Sequence, residues 1–182
     1  MKRQPAAVPG LPSSVPPAAP LLDSLAPVLT SETRLVVLGS FPGAASLRAQ
    51  QYYAHPRNQF WPLLSALWGI DLVALPYERR VAEASARGLG LWDVYASCRR
   101  LGSLDSAIRD AVFNDLSRLR QQAPGLRAIA HNGAESARAM RHTQALGVAV
   151  IRLPSTSAAH ASWSFERKLA AWRDAFAAEG MA

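Results

Sequence analysis

The chain has 182 residues, 49% apolar and 18% charged, enough for one domain with a substantial core and ordinary for a globular protein. Its net charge is +7, and all of its Lys and Arg residues except Lys2 and Lys168 are arginine, so electrostatics favour a polyanionic partner such as nucleic acid. No apolar run reaches the roughly 18 residues of a membrane span, and the lone Cys98 leaves no internal disulfide, which fits a reducing cytoplasm.

Residues 1–21 are rich in Pro, Ala and Ser, and Pro5, Pro9, Pro12, Pro16, Pro17 and Pro20 interrupt any apolar stretch. The composition predicts a disordered tail without a cleavable leader, followed by a single domain over residues 22–182. Residues 34–39 read as a buried parallel strand, with Leu35, Val36, Val37 and Leu38 continuous. A helix is predicted over residues 58–68, with Phe60, Leu63, Leu64 and Leu67 on one face and Gly69 as its stop. Pro76 suits the first turn of another helix that ends near Gly88. Residues 89–95 form the second predicted strand. Asn114 is placed as the cap of a helix running to about Gln122, ended by Pro124-Gly125.

The third predicted strand, residues 126–130, delivers His131-Asn132-Gly133 at its C-terminal end. A short helix over residues 134–141 follows. The fourth strand, residues 148–153, delivers Pro154-Ser155-Thr156-Ser157. The last helix spans residues 162–178, with Phe165, Leu169, Trp172 and Phe176 as an apolar stripe. Strands alternate with helices, so the expected fold is three-layer α/β/α with a central four-stranded parallel sheet. Such sheets bind ligands outside the carboxyl ends of their strands, where all the unusual segments of this chain converge.

Each of those segments has a structural and a functional reading. Gly39-Ser40-Phe41-Pro42-Gly43 is either a tight turn or a backbone wall around a flat ligand. Its spacing matches neither a nucleophile elbow nor a phosphate-binding loop. Tyr52 and Tyr53 form a core pair or a stacking platform for a nucleobase. Asn58 caps a helix, faces a ligand, or does both. Asp93 ends a strand as a turn cap or as a hydrogen-bond acceptor in the site. Asn132 caps the following helix or lines the site. Ser155, Thr156 and Ser157 cap the next segment or hold a phosphate. His160 lies in the same loop. His55, His131, His142 and His160 lack metal-ligand spacing, so no metal is expected.

The order GSFPG, YYAHPRNQFW, LWDVYASCRRLGSLDSAI, HNG, LPSTS resembles the uracil-DNA glycosylase superfamily, and within it the hypoxanthine-DNA glycosylase branch. The resemblance runs from about residue 22 to the C-terminus. It implies a monofunctional, cofactor-free, monomeric enzyme that flips a deaminated base out of DNA and hydrolyses its N-glycosidic bond. Uracil or xanthine as the main substrate, and a catalytically weak lesion-binding protein, are the alternatives. The mismatch-specific branch carries a water-positioning Asn where this chain has Phe41, and uracil-specific relatives open the last motif with His where this chain has Leu153. The hypoxanthine branch implies Asn58 as the residue that orients water and Tyr53 as the stacking aromatic. Base contacts then fall to Gly39, Ser40, Phe41, Pro42, Gly43, Asp93 and Asn132. Backbone contacts fall to Ser155, Thr156, Ser157 and His160. No lysine adjoins any motif in sequence, so an amine nucleophile is not expected.

Overall fold

Four parallel strands in the order β3-β2-β6-β7 make the central sheet of the computed structural model, which describes residues 19–181. They are β2 Leu35–Gly39, β3 Leu89–Asp93, β6 Ala128–Asn132 and β7 Ala149–Leu153. Leu35 pairs with Leu89 on one side and Ala128 on the other, and Ala128 pairs with Ala149. β2 lies between two neighbours and under helices on both faces, which is why its run of apolar residues is unbroken. Alternation then sends Leu35 and Val37 into one core, and Val36 and Leu38 into a second.

After α1 Ala44–Ala49, which follows the GSFPG turn, come the helices that close the first core: α2 Phe60–Trp68, α3 Tyr77–Ala86 and α7 Phe165–Ala178. Phe60, Leu63, Leu64 and Leu67 face it as the helical period predicts, and Gly69 ends α2 at φ +66. Trp172 and Phe176 of α7 complete it. The second core takes Leu119 from α4 Arg118–Gln122. It also takes Ala139, which separates α5 Ala134–Ala137 from α6 Met140–Gln144.

The single helix expected over residues 134–141 is therefore two. The break lets Ser136 and Thr143 each reach a ring nitrogen of fully buried His131, both at 2.9 Å. Residues 89–95 are likewise not one strand. Val94 turns its N–H back to Gly39 O and Tyr95 turns its own to Ser40 O, and the chain leaves the parallel sheet there. It continues as β4 Tyr95–Arg99, which pairs antiparallel with β1 Leu21–Asp23 and β5 Arg109–Phe113. β1 and β5 are short and largely exposed, and β4 buries only Tyr95 and Cys98, off a period of two, so neither length nor apolar alternation announced them.

Asn114 does not cap a helix. Its carboxamide donates to Asp93 O at 2.9 Å, and the helix begins only at Arg118. Of the expected tail, residues 1–18 lie outside the described residues, while Leu21 opens β1. The following segment reaches both sheets, since Val28 bridges to Leu91. No helix among the described residues is long and apolar enough to cross a membrane.

Candidate functional site

Three strand ends meet on one face of the sheet. Val37, Leu91 and Ala130 are in register and point to the first core. Two residues further on, Gly39, Asp93 and Asn132 point the same way. Gly39 and Asp93 are direct partners. A Cβ on Gly39 would run into Asp93 Oδ1 and come within 3.6 Å of the Tyr53 hydroxyl, so glycine is what lets both groups lie over the strand.

The Asp93 carboxyl is 3% exposed and accepts a 3.2 Å bond from Ser24 Oγ. Burial pushes its pKa up to about 7; the Ser24 bond and the Arg100 charge oppose this, and Asp105 adds to it. Tyr53 sits beside it with φ +57, its ring stacked on Phe60 at 3.9 Å between centroids. The Tyr53 hydroxyl is buried and makes no hydrogen bond of its own; burial and then the Asp93 charge raise its pKa above the usual tyrosine range, and the nearby Asn132 carboxamide works against them. A buried polar group left unpaired is uncommon and points to a missing partner. Tyr52, by contrast, is a core residue whose hydroxyl donates to Ala26 O at 3.1 Å.

Half-buried Asn58 accepts the Phe60 N–H through Oδ1 at 2.9 Å, so it does serve the start of α2. A second lone pair on Oδ1 stays free, and no protein group among the described residues bonds its Nδ2. The next residue stitches the site together. Gln59 N–H donates to Thr156 O at 2.9 Å. Thr156 in turn gives its N–H to Asn132 Oδ1 and takes a bond from Asn132 Nδ2, each at 2.9 Å. Asn132 thus does not cap a helix; it joins the end of β6 to the loop after β7.

The GSFPG turn is held from behind. Ser40 Oγ donates to Asp105 Oδ1 at 2.6 Å, and the Arg100 guanidinium donates to Pro42 O. Phe41 was expected to face a base, but it packs in the second core with the Arg100 guanidinium 5.0 Å from its ring. The backbone N–H groups of Ser40, Phe41 and Gly43 have no acceptor among the described residues. They are the donors this turn has left.

The expected backbone-gripping loop is also changed. Thr156 is fully buried and its polar atoms are spent inside the protein, so Ser155 and Ser157 are the hydroxyls left near solvent. His160 has an unpartnered buried Nδ1, and burial, Lys168 and Arg152 lower its pKa. Beside it a cavity of about 350 Å³ is lined by Arg57, Gln59, Ser157, His160, Trp163 and Lys168. A larger cavity of about 600 Å³, bounded by Arg34, Trp68, Arg87 and Met181, lies toward the other end of the strands.

Residues 26–176 match the Uracil DNA glycosylase superfamily. The chain belongs to that superfamily. It is 36% identical over 150 residues to a protein named hypoxanthine DNA glycosylase from Methanosarcina barkeri, covering 82% of this chain and 94% of that one. A protein of the same name from Methanosarcina acetivorans is 37% identical over 141 residues, covering 78% and 89%. A solution NMR structure from M. acetivorans, described as a candidate uracil DNA glycosylase, superposes with a TM-score of 0.80 at 34% identity. That superposition covers 88% of this chain and 99% of the other. The superfamily and the parallel-sheet fold inferred from the motifs are therefore borne out.

Sequence reasoning missed Ser24, Gln59, Arg100, Asp105 and Lys168. Lys168 adjoins no motif in sequence but meets Gln59 of the HPRNQFW segment in the fold. Its Nζ donates to Gln59 Oε1 at 2.7 Å and to His160 O at 2.8 Å, while the residue is 2% exposed. With two of its three N–H groups committed to the fold, this amine is a strut and not a nucleophile. The available signal was its being a lysine in a chain that otherwise uses arginine after residue 2.

Proposed function

We propose that this protein is a monofunctional, monomeric DNA glycosylase that flips a deaminated base, hypoxanthine first, out of DNA and hydrolyses its N-glycosidic bond. The carrying observation is the buried Asp93 carboxyl beside the unpartnered Tyr53 hydroxyl at the strand ends of a superfamily member. The names of the two Methanosarcina relatives support hypoxanthine as the base.

A base stacked in duplex DNA is out of reach, so the nucleotide must leave the helix. Deamination turns an exocyclic amino donor into a carbonyl and adds a proton to the neighbouring ring nitrogen. Ionised Asp93 accepts that N1–H, and a backbone N–H of Phe41 or Gly43 donates to O6. Adenine would leave both groups unpaired, a mismatch that can discriminate by about 10⁴. Tyr53 supplies the flat surface, and its hydroxyl gains a partner as the base enters.

In the reaction, the bond between the sugar C1′ and the base nitrogen breaks, and its electron pair leaves with the base. Positive charge develops on the sugar and negative charge on the base, where the donors to O6 strengthen. Water held by Asn58 adds to C1′ and releases its proton to solvent. An amide is a poor base, so Asn58 orients the water and does not deprotonate it. Lys168 is engaged elsewhere, so no amine attacks the sugar.

The test is base release from duplexes carrying inosine, uracil or xanthine, read as strand cleavage after alkali. Inosine is expected to react fastest. Asn58→Ala should lose about 100-fold in rate, the cost of leaving a reactant misplaced by about 1 Å, with DNA binding retained. Full activity in that variant removes Asn58 from the mechanism, and release of none of the three bases by the native protein removes the glycosylase reading.

A further inference from the structure

Arg100 is 1% exposed, and no carboxylate pairs with it among the described residues. Only Nη2 is bonded, to Pro42 O; Nε and Nη1 are buried with no partner. Burial lowers its pKa, while Cys98, Asp105 and Asp93 act the other way. An arginine keeps its proton inside a protein, so a bare cation sits in the fold. Buried charges are normally paired, because taking one out of water is costly. A strut would need less: a neutral amide could hold the Pro42 carbonyl as well. The Phe41 ring, 5.0 Å from the guanidinium, offsets part of the cost.

The place of this charge gives it a use. A peptide group is planar and trans, so its C=O and N–H point in opposite directions. The Pro42 C=O points at Arg100. The N–H of the same peptide unit belongs to Gly43 and therefore points away from the guanidinium. Gly43 is half-buried, and its N–H has no acceptor among the described residues. The Ser40–Phe41 unit is built alike: Ser40 O accepts the Tyr95 N–H at 3.1 Å, and the Phe41 N–H is left open. There the group on the carbonyl is neutral, whereas at Pro42 it is a cation. A hydrogen bond to an amide oxygen polarises the whole unit and strengthens its N–H as a donor. The effect is larger when the bond is charge-assisted and the surroundings are dry.

We infer that Arg100 is a positioning residue for base release: its charge, carried across the Pro42–Gly43 peptide unit, makes the Gly43 N–H the donor that holds the negative charge developing on O6 of the departing base. The guanidinium touches neither base nor sugar and moves no proton. As the C1′–N bond breaks, its electron pair leaves with the base and charge spreads to O6, where a polarised donor gains most. In the bound substrate O6 is a neutral carbonyl and gains less. The effect therefore falls on rate and not on affinity. This inference rests on the glycosylase reading and selects Gly43 over Phe41 within it.

Three replacements separate charge from shape. Arg100→Lys keeps a cation and a donor, Arg100→Gln keeps a donor alone, and Arg100→Met keeps neither. Single-turnover release of hypoxanthine from duplex inosine is read at about pH 9. Asp93 is ionised there even without the Arg100 charge that helps to lower its pKa. Arg100→Gln and Arg100→Met should be slower than native by at least about tenfold, short of the roughly 10²–10³ that loss of a donor itself costs. Arg100→Lys should be at least about threefold faster than Arg100→Gln, because the charge is kept and only its geometry is lost. DNA affinity by anisotropy should stay within about twofold of native in all three. Arg100→Met should melt within about 4 °C of native, since an unpaired buried cation leaves little stability to lose. Gly43→Pro removes the N–H at a residue whose φ of −66 suits proline. It should lose about 10²–10³ in rate, and Arg100→Gln added to it should cost nothing further.

Native-like release by Arg100→Gln overturns the inference, as does an Arg100→Lys no faster than Arg100→Gln. Rate losses that follow losses in melting temperature or DNA affinity overturn it too, because a mere strut would give them. An undiminished effect of Arg100→Gln in the Gly43→Pro background overturns the path through Gly43. If the native protein releases no base, the glycosylase reading falls and takes this inference with it. If it releases base and Arg100→Gln does so as fast, the inference falls alone.

Discussion

Asp93→Asn should make the protein more stable and less active, and the gain should depend on pH. The Asp93 carboxyl titrates near 7 in the fold against an ordinary 3.8. Between those values the folded state holds a proton that the unfolded chain releases. Stability therefore falls as pH rises through that window, and the full cost of ionisation is present above about 7. At about 1.4 kcal/mol per pH unit, the cost approaches roughly 4 kcal/mol at pH 8 and is near zero at pH 4. Asparagine cannot ionise, yet its carbonyl still accepts from Ser24 Oγ. Urea unfolding of both proteins at pH 4.5, 6 and 8 should show the variant gaining about 2–4 kcal/mol at pH 8 and less than about 1 at pH 4.5. Release of hypoxanthine runs the other way. The native rate should rise as pH passes 7, because the ionised carboxylate is the acceptor, and the variant should be slow and flat. A stability difference independent of pH, or a variant weaker than native at pH 8, would refute the reasoning.

Gly39→Ala drives a Cβ into Asp93 Oδ1. Overpacking of this kind costs about 1–3 kcal/mol, and the loss in thermal unfolding should shrink when Asp93→Ala removes the colliding atom. Lys168→Met leaves Gln59 Oε1 and His160 O without their donor. A loss of about 1–3 kcal/mol is expected, with faster amide exchange at residues 157–160. DNA affinity should fall more than the single-turnover rate; an unchanged exchange pattern would deny Lys168 its role in holding that loop.

The four strand ends were legible because each combines an apolar run with an abrupt change of residue type. That contrast alone places Gly39, Asp93, Asn132 and Ser155 at one edge of the sheet. Tyr53 and Asn58 were separable from their neighbours only in part. The sequence cannot say that Tyr52 turns inward while Tyr53, one residue on, lies against Phe60 and the strand ends. Phe41 misled because a turn residue beside glycine and proline looks like a ligand wall, yet the strand ends at Gly39, the alternation that would send Phe41 to the first core stops there, and the ring packs in the second core under Arg100. The β4–β5 hairpin escaped notice because β5 has no buried position and the two in β4, Tyr95 and Cys98, are three residues apart and make no alternation. Ser24, Asp105 and Lys168 reach the site across 69, 65 and 109 residues of chain, and no local pattern encodes such pairings.

The hydrogen-bonded path from Asn132 through Thr156 and Gln59 to Lys168 links β6, the loop after β7, the start of α2 and α7. Its side-chain links make those positions a single unit of inheritance. Once Thr156 loses its hydroxyl, the Asn132 amide loses one of its two partners there, and further change at either position costs less than it would alone. Residues that share a network in this way commonly couple by about 0.5–3 kcal/mol. Among related chains, Asn132 and Thr156 should therefore be kept or exchanged together, and the same should hold for Gln59 and Lys168. The site would diverge in blocks, each block moving one wall of the cleft relative to the others.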